Sequence, residues 1–256
     1  MPLRWSDVIY GPVYSRRLGR SLGINLLPRP RKTCSFDCVY CEHGLTDILT
    51  LARGSVIQPS GEGFPDAVYV LEAVEAGLTK YSSLDHLTFS GNGEPTLHPH
   101  FTAIVEGVRA LRNRLHPSLR LAVFSNSTTV MRPEILEALA LVDAPILKLD
   151  AGDEDTWRAI NRPPPGIALE RVLEGLSLVP NLVLQCLFLD GALQNVRGQP
   201  YQAWLEAVLR VSPKMIQIYS LDRPTPEHGL QEVPLEELTR IAREVFERTA
   251  IPAQAY

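Results

Sequence analysis

The sequence predicts an α/β fold organised on a parallel sheet. Three observations predict it: six apolar runs are short enough for buried strands, helix-like segments lie between them, and polar residues gather where the runs end. The first run is SLGINLL (21–27). FPDAVYVLEAVEAGLTKY (64–81) follows with Val70, Leu71, Val74 and Leu78 at helical spacing, and HLTFS (86–90) is the second run. HPHFTAIVEGVRALRNRL (98–115) predicts a helix opening near Pro99, with Ile104, Val105, Val108, Leu111 and Leu115 on one face. LRLAVFS (119–125) and APILKLD (144–150) are the third and fourth runs. ALERVLEGLSLV (168–179), the strand-like LVLQCLFL (182–189), PYQAWLEAVLRV (200–211) and the strand-like MIQIYSL (215–221) continue the alternation. The last helix is VPLEELTRIAREVFERT (233–249), with Pro234 suited to its first turn. Such alternation argues for right-handed crossovers. Two loops, ARGSVIQPSGEGFP (52–65) and NRPPPG (161–166), are too short to be linkers, so the expectation is a single domain over 1–256.

The strand ends are where chemistry is expected. SGNGEP (90–95) follows the second run, the third ends Ser125-Asn126-Ser127, and the fourth ends Lys148-Leu149-Asp150. In barrels and open α/β sheets this edge hosts the active site. Strand side chains alternate, which puts Lys148 and Asp150 on one face as candidate catalytic residues. The competing reading is a structural ion pair in the barrel mouth.

A net charge of −4 gives no global attraction to nucleic acid. No apolar run reaches the length of a membrane span. The start, MPLRWSDVIYGPVYSRR, lacks the apolar stretch of a signal peptide, so a cytoplasmic protein is expected. Three of the four cysteines, Cys34, Cys38 and Cys41, fall within KTCSFDCVYCEHG (32–44). Clustered like this they point to a metal site rather than a disulfide scaffold. The spacing C-x3-C-x2-C fits neither ferredoxin pattern. Two readings stand: zinc with His43 as fourth ligand, or a 4Fe–4S cluster with one iron open.

CSFDCVYC (34–41) resembles the C-x3-C-x-aromatic-C signature of radical S-adenosylmethionine (SAM) enzymes, with Tyr40 as the aromatic residue. GPVYSRRLGRSLGINLLP (11–28), TFSGNGEPTLHP (88–99), FSNST (124–128) and LDAGDEDTWRAINRP (149–163) resemble the subgroup containing the wyosine-forming tRNA-modifying enzymes. The resemblance implies a partial (β/α)6 TIM-like barrel of parallel strands. It implies one 4Fe–4S cluster on Cys34, Cys38 and Cys41, and SAM chelating the open iron. Electron transfer would then give a 5′-deoxyadenosyl radical that takes hydrogen from substrate. SGNGEP stands where the family has a glycine–glycine–glutamate motif. Gly91 and Gly93 would let the backbone approach SAM, Glu94 would oppose its ammonium, and Asn92 and Pro95 complete the loop. Asn92 departs from the family's glycine, and the competing reading is an ordinary Asn-Gly turn. Ser125 and Asn126 stand where the family contacts SAM, with a helix cap as the alternative. Tyr40 would meet the adenine through its main chain.

Residues 16–32 hold six basic side chains: Arg16, Arg17, Arg20, Arg29, Arg31 and Lys32. They offer phosphate contacts for a nucleotide or RNA substrate, a dock for a low-potential electron donor such as flavodoxin or ferredoxin, or merely a solvated flank. Wyosine-forming relatives carry cysteines for a second cluster, whereas here only Cys186 remains, in an apolar strand. That favours an unknown small molecule or nucleotide as substrate over the wyosine-type reaction. A zinc-stabilised, non-catalytic RNA-binding protein is the reading from a different class.

Overall fold

The structure, a computed structural model, describes residues 8–52 and 63–256. Most of the 52–65 loop lies outside them.

Apolar side chains on both faces of a strand demand cover on both faces, and the chain supplies it with an eight-stranded sheet. A hairpin starts it: β1 (Ile9–Ser15) runs antiparallel to β2 (Gly19–Ile24). A short parallel pair, β3 (Thr33–Cys34) and β4 (Ile48–Leu49), closes the base of the cysteine loop. Helix α1 (Ala67–Lys80) is capped by Asp66, whose carboxylate accepts from Val68 N. Strand β5 (His86–Phe89) leads through a 3₁₀ turn (Pro95–Leu97) to α2 (Phe101–Leu115). Then follow β6 (Arg120–Ser125), α3 (Pro133–Ala140), β7 (Ala144–Lys148), α4 (Glu154–Asn161) and α5 (Leu169–Ser177). Strand β8 (Val183–Leu187), β9 (Leu189–Gly191), α6 (Gly198–Val211), β10 (Met215–Tyr219), β11 (Leu230–Glu232), α7 (Leu235–Thr249) and β12 (Ala253–Ala255) complete the order.

The sheet order is β1-β2-β5-β6-β7-β8-β10-β12, parallel from β2 onward. All six expected runs are strands of this sheet, in the open-barrel arrangement expected. The period of two then separates two interiors. Leu121, Val123, Leu147, Leu184 and Cys186 join the main core with the helices. Ala122, Ala144 and Ile146 face the barrel interior, where Leu18 from the β1–β2 turn packs on them. Lys148 continues the Ala144–Ile146 face toward the strand's C-terminal end, whereas Cys186 points the other way.

Several elements differ from the expectation. Helix α2 begins at Phe101 because Pro95 already opens a separate turn. Pro234 precedes the first helical residue of α7 instead of occupying its first turn. Strands β1 and β12 and helices α3 and α4 were not expected.

Candidate active site

The cysteine loop is pinned at its base and braced across its span. Ile48 N donates to Lys32 O (3.0 Å) and Thr50 N to Cys34 O (2.9 Å). Inside the loop, Thr46 donates through N to Asp37 Oδ1 and through Oγ1 to Phe36 O, both at 2.7 Å. The end of α4 holds it from outside: Val39 N donates to Ile160 O (3.0 Å), and the Phe36 ring stands edge-on to Trp157 at 5.6 Å.

Each thiol receives its own donor from a different part of the fold. Asn126 Nδ2 lies 3.5 Å from Cys34 Sγ, Asn161 Nδ2 lies 3.4 Å from Cys38 Sγ, and Lys32 Nζ lies 3.1 Å from Cys41 Sγ. Burial pushes the Cys34 thiol up to about 12, with Glu94 adding to it, and the Cys38 thiol up to about 11. Bound cations would reverse that and hold both as thiolates. Among the described residues, no three His, Cys, Asp or Glu donors converge to hold a single metal ion. The Cys34–Cys38–Cys41–His43 zinc set is therefore not assembled. His43 is instead a neutral imidazole, pushed down to about 4 by burial and by the nearby Lys32 and Arg223 charges. A cluster asks for something different, since each thiolate bonds its own iron.

All three thiols line a cavity of about 590 Å³ at the C-terminal ends of the strands, together with Tyr40, Gly91, Gly93, Glu94, Ser125, Asn126 and Lys148. A family model described as the radical SAM superfamily matches residues 30–189, which bracket this loop and these strand ends.

The chain belongs to the radical SAM superfamily.

The superfamily's cofactors are a 4Fe–4S cluster and SAM. A UPF0026 protein of Methanocaldococcus jannaschii is 30% identical over 241 residues, which are 91% of this chain and 70% of that one. A UPF0026 protein of Synechocystis sp. is 33% identical over 223 residues, covering 85% of this chain and 77% of that one. Among solved structures, TYW1 with a bound lysine–pyruvate adduct superposes with a TM-score of 0.62 at 14% identity, over 90% of this chain and 74% of that one. SuiB of Streptococcus suis bound to SAM gives 0.62 at 12% identity, over 91% and 50%. At such identities the likeness is one of fold.

In this radical SAM chain the SGNGEP loop serves the protein as well as the cavity. Neither Gly91 nor Gly93 has a positive φ, so the loop is not one of the primed turns that Asn-Gly favours. What both positions require is space. A Cβ on Gly91 would sit 2.4 Å from Asn25 Oδ1, and one on Gly93 would sit 1.8 Å from the carbonyl oxygen of Thr33. Asn92 and Pro95 turn away from the cavity wall. Asn92 donates to Pro28 O (3.3 Å), and Pro95 opens the 3₁₀ turn. Glu94 is 1% exposed and caps that turn. Its Oε1 accepts from Thr96 N (3.2 Å) and Thr96 Oγ1 (2.6 Å), and its Oε2 accepts from Asn126 N (2.6 Å). Burial raises its pKa, against the lowering effect of these donors.

Asn126 is a clamp and not a helix cap, since α3 begins only at Pro133, after Arg132. Its Nδ2 also reaches Ser35 Oγ (2.9 Å), while its Oδ1 accepts from Thr128 N (3.1 Å). Ser125 stands on the cavity wall beside it. Lys148 and Asp150 form an ion pair (3.6 Å), but only Lys148 reaches the cavity. Asp150 is buried beneath it and accepts from Tyr40 Oη, Asn161 Nδ2 (2.8 Å) and Leu187 N (2.9 Å). Asp150 thus lies off the cavity wall and ties Tyr40, Asn161 and Leu187 together. Burial alone would lower the Lys148 pKa, but Asp150, Tyr219 and Cys38 together raise it, so the ammonium stays protonated.

The basic segment does not form one patch. Arg16 pairs with Asp222 (3.4 Å), and Lys32 is buried against Cys41. Arg17 enters the cavity, its guanidinium 4.5 Å from the Tyr219 ring and 5.2 Å from the Phe124 ring, donating to Gln185 Oε1 (3.1 Å). Sequence reasoning marked Arg17 and Lys32 only as members of the basic segment 16–32, and it missed Asn161, Gln185 and Tyr219 as members of the site.

Proposed function

We propose that the protein is a radical SAM enzyme of one domain, in which Cys34, Cys38 and Cys41 hold a single 4Fe–4S cluster and the neighbouring wall binds SAM. The observation that carries this is the placement of all three thiols, each with its own N–H donor, on one cavity wall with Gly91, Gly93 and Ser125. Bound together, cluster and SAM supply a 5′-deoxyadenosyl radical that abstracts hydrogen from the substrate. The chain's own residues do the rest. Asn126, Asn161 and Lys32 hold the thiol sulfurs in place. Leu18 and Arg17 fill the barrel interior below the strand ends and limit water there.

The substrate reading is a small molecule or nucleotide with an anionic group. Arg17 faces the cavity and forms no ion pair among the described residues, so its charge, partly held by Gln185, has no carboxylate partner and suits a substrate carboxylate or phosphate. The lysine adduct in the TYW1 structure suggests a comparison with Lys148. An amine must lose its proton to attack a carbonyl, and Lys148 is held protonated, so that chemistry is not favoured here. The electron comes from a low-potential donor such as flavodoxin or ferredoxin. Among the described residues no helix is long and apolar enough to cross a membrane.

Anaerobic reconstitution tests the reading. Brown protein with about four irons per chain and slow formation of 5′-deoxyadenosine under reduction is expected. Cys186 packs with the helices and away from the cavity, so it supplies no ligand for a second cluster. A reproducible value near twice that iron content, lost on Cys186→Ala, would overturn the single-cluster assignment, and colourless protein would overturn the function.

Glu94→Ala carries a second expectation. It leaves the three donors from Thr96 and Asn126 without their acceptor. Each such loss costs about 1–3 kcal/mol. A drop in Tm of at least about 6 °C is expected, at about 2–4 °C per kcal/mol for a chain of this size. Roughly tenfold to hundredfold weaker SAM binding is also expected from the loss of a charge-assisted contact. Calorimetric unfolding and SAM titration separate the two: an unchanged Tm removes the structural role, and an unchanged affinity removes the ligand role.

A further inference from the structure

Lys32 is 5% exposed, yet its ammonium forms no ion pair with a carboxylate among the described residues. Asp47 is close, but its carboxylate accepts from the Lys32 backbone N (2.7 Å). The ammonium instead donates to Cys41 Sγ (3.1 Å) and Gly44 O (2.6 Å). A buried cation without a counter-charge is costly. Bound to iron as a thiolate, Cys41 Sγ would be the sulfur in direct contact with that charge. The other two sulfurs differ in their hydrogen-bond donors, because Cys34 and Cys38 take neutral amides from Asn126 and Asn161, while the Lys148 ammonium acts on Cys38 only through space. Other charges near Cys41 are already matched, since Glu42 pairs with Arg223 (2.7 Å).

We propose that Lys32 raises the reduction potential of the cluster through Cys41, as the cation hydrogen-bonded to a cluster sulfur. Cluster potentials follow net charge and hydrogen bonds to the sulfurs. Reduction adds one electron, delivered by the low-potential donor, and the cluster becomes one unit more negative. No proton is transferred in this step. A fixed positive charge at the sulfur stabilises the reduced state more than the oxidised one and raises the potential. Lys32 is therefore a positioning residue that acts through Cys41.

The inference rests on the cluster reading above, and the test keeps the two apart. Potentiometric EPR titration of reconstituted Lys32→Met is expected to show at least a tenfold shift of the one-electron equilibrium toward the oxidised cluster, a fall of about 59 mV. Lys32→Arg, which keeps the charge, is expected to stay near wild type. A wild-type potential in Lys32→Met loaded with a full complement of iron overturns the inference, as does an equal shift in both variants. Should Lys32→Met fail to load iron, wild-type protein labelled with 15N-lysine decides. Pulsed EPR of its reduced cluster is expected to show a 15N coupling that Lys32→Arg lacks, and absence of that coupling overturns the inference. Wild-type protein that binds no iron at all would instead refute the cluster reading.

Discussion

Replacing Cys38 with alanine is expected to abolish both iron loading and reductive cleavage of SAM. Three thiolates are the fewest that leave a 4Fe–4S cluster with a single open iron, and removing one leaves two irons without protein ligands. Among the described residues no spare donor stands in reserve. Cys186 belongs to the helix-facing core, and His43 does not join a ligand set with the cysteines. The loop itself should survive, because its bracing runs through the Thr46, Thr50 and Val39 backbone bonds rather than through Cys38 Sγ. The readout is iron and sulfide content with 5′-deoxyadenosine formation, beside a Tm near wild type. Cys186→Ala is the matched control and should keep both. Undiminished cleavage by Cys38→Ala would refute the assignment of these cysteines to the cluster.

The barrel strands were legible because burial on both faces leaves a continuous apolar run, and all six such runs became strands. β1 was not legible for the opposite reason. IYGPVYS is interrupted by Gly11-Pro12, its register shifts there, and it gains its pairing from β2 across the turn. β12 is only Ala-Gln-Ala, with no strand preference, and exists through its register with β10. Helix α4 did carry a signal, Asp153 three residues before Thr156, whose N–H it caps. The charged run EDTWR hid the apolar face made by Trp157 and Ile160.

The site divides in the same way. Motif spacing marked the three cysteines and the glycine loop, because both lie in short segments where adjacent residues act together. Asn161 and Gln185 carried no local signal, since each acts on a partner far away in sequence: Asn161 on Cys38, and Gln185 on Arg17. Asp150 was found as the neighbour of Lys148, and it lies beneath the cavity wall rather than on it. Alternation correctly put it near Lys148, yet strand β7 ends at Lys148, and the chain beyond turns Asp150 into the protein.

Gly93→Ala is expected to lower Tm and iron loading together, and to do so more severely than Gly91→Ala. Both glycines sit in the loop after β5, and both lack room for a Cβ, but what they meet differs. At Gly91 the added carbon would meet the Asn25 side-chain oxygen, which has a rotamer to change. At Gly93 it would meet the backbone oxygen of Thr33 at 1.8 Å, so main chain has to move. That same oxygen accepts from Glu94 N (3.3 Å), and Thr33 is paired in β3 immediately before Cys34. Relief of the overlap therefore pulls on the first cysteine and on the contact that joins the two loops. Overpacking of this kind costs about 1–3 kcal/mol and sometimes more. At about 2–4 °C per kcal/mol the upper end is a fall of roughly 10 °C. Calorimetry and iron analysis on both variants give the order. Gly91→Ala as damaging as Gly93→Ala would show that the loop is held by its side-chain contacts, and full iron loading in Gly93→Ala would show that Cys34 does not depend on this packing.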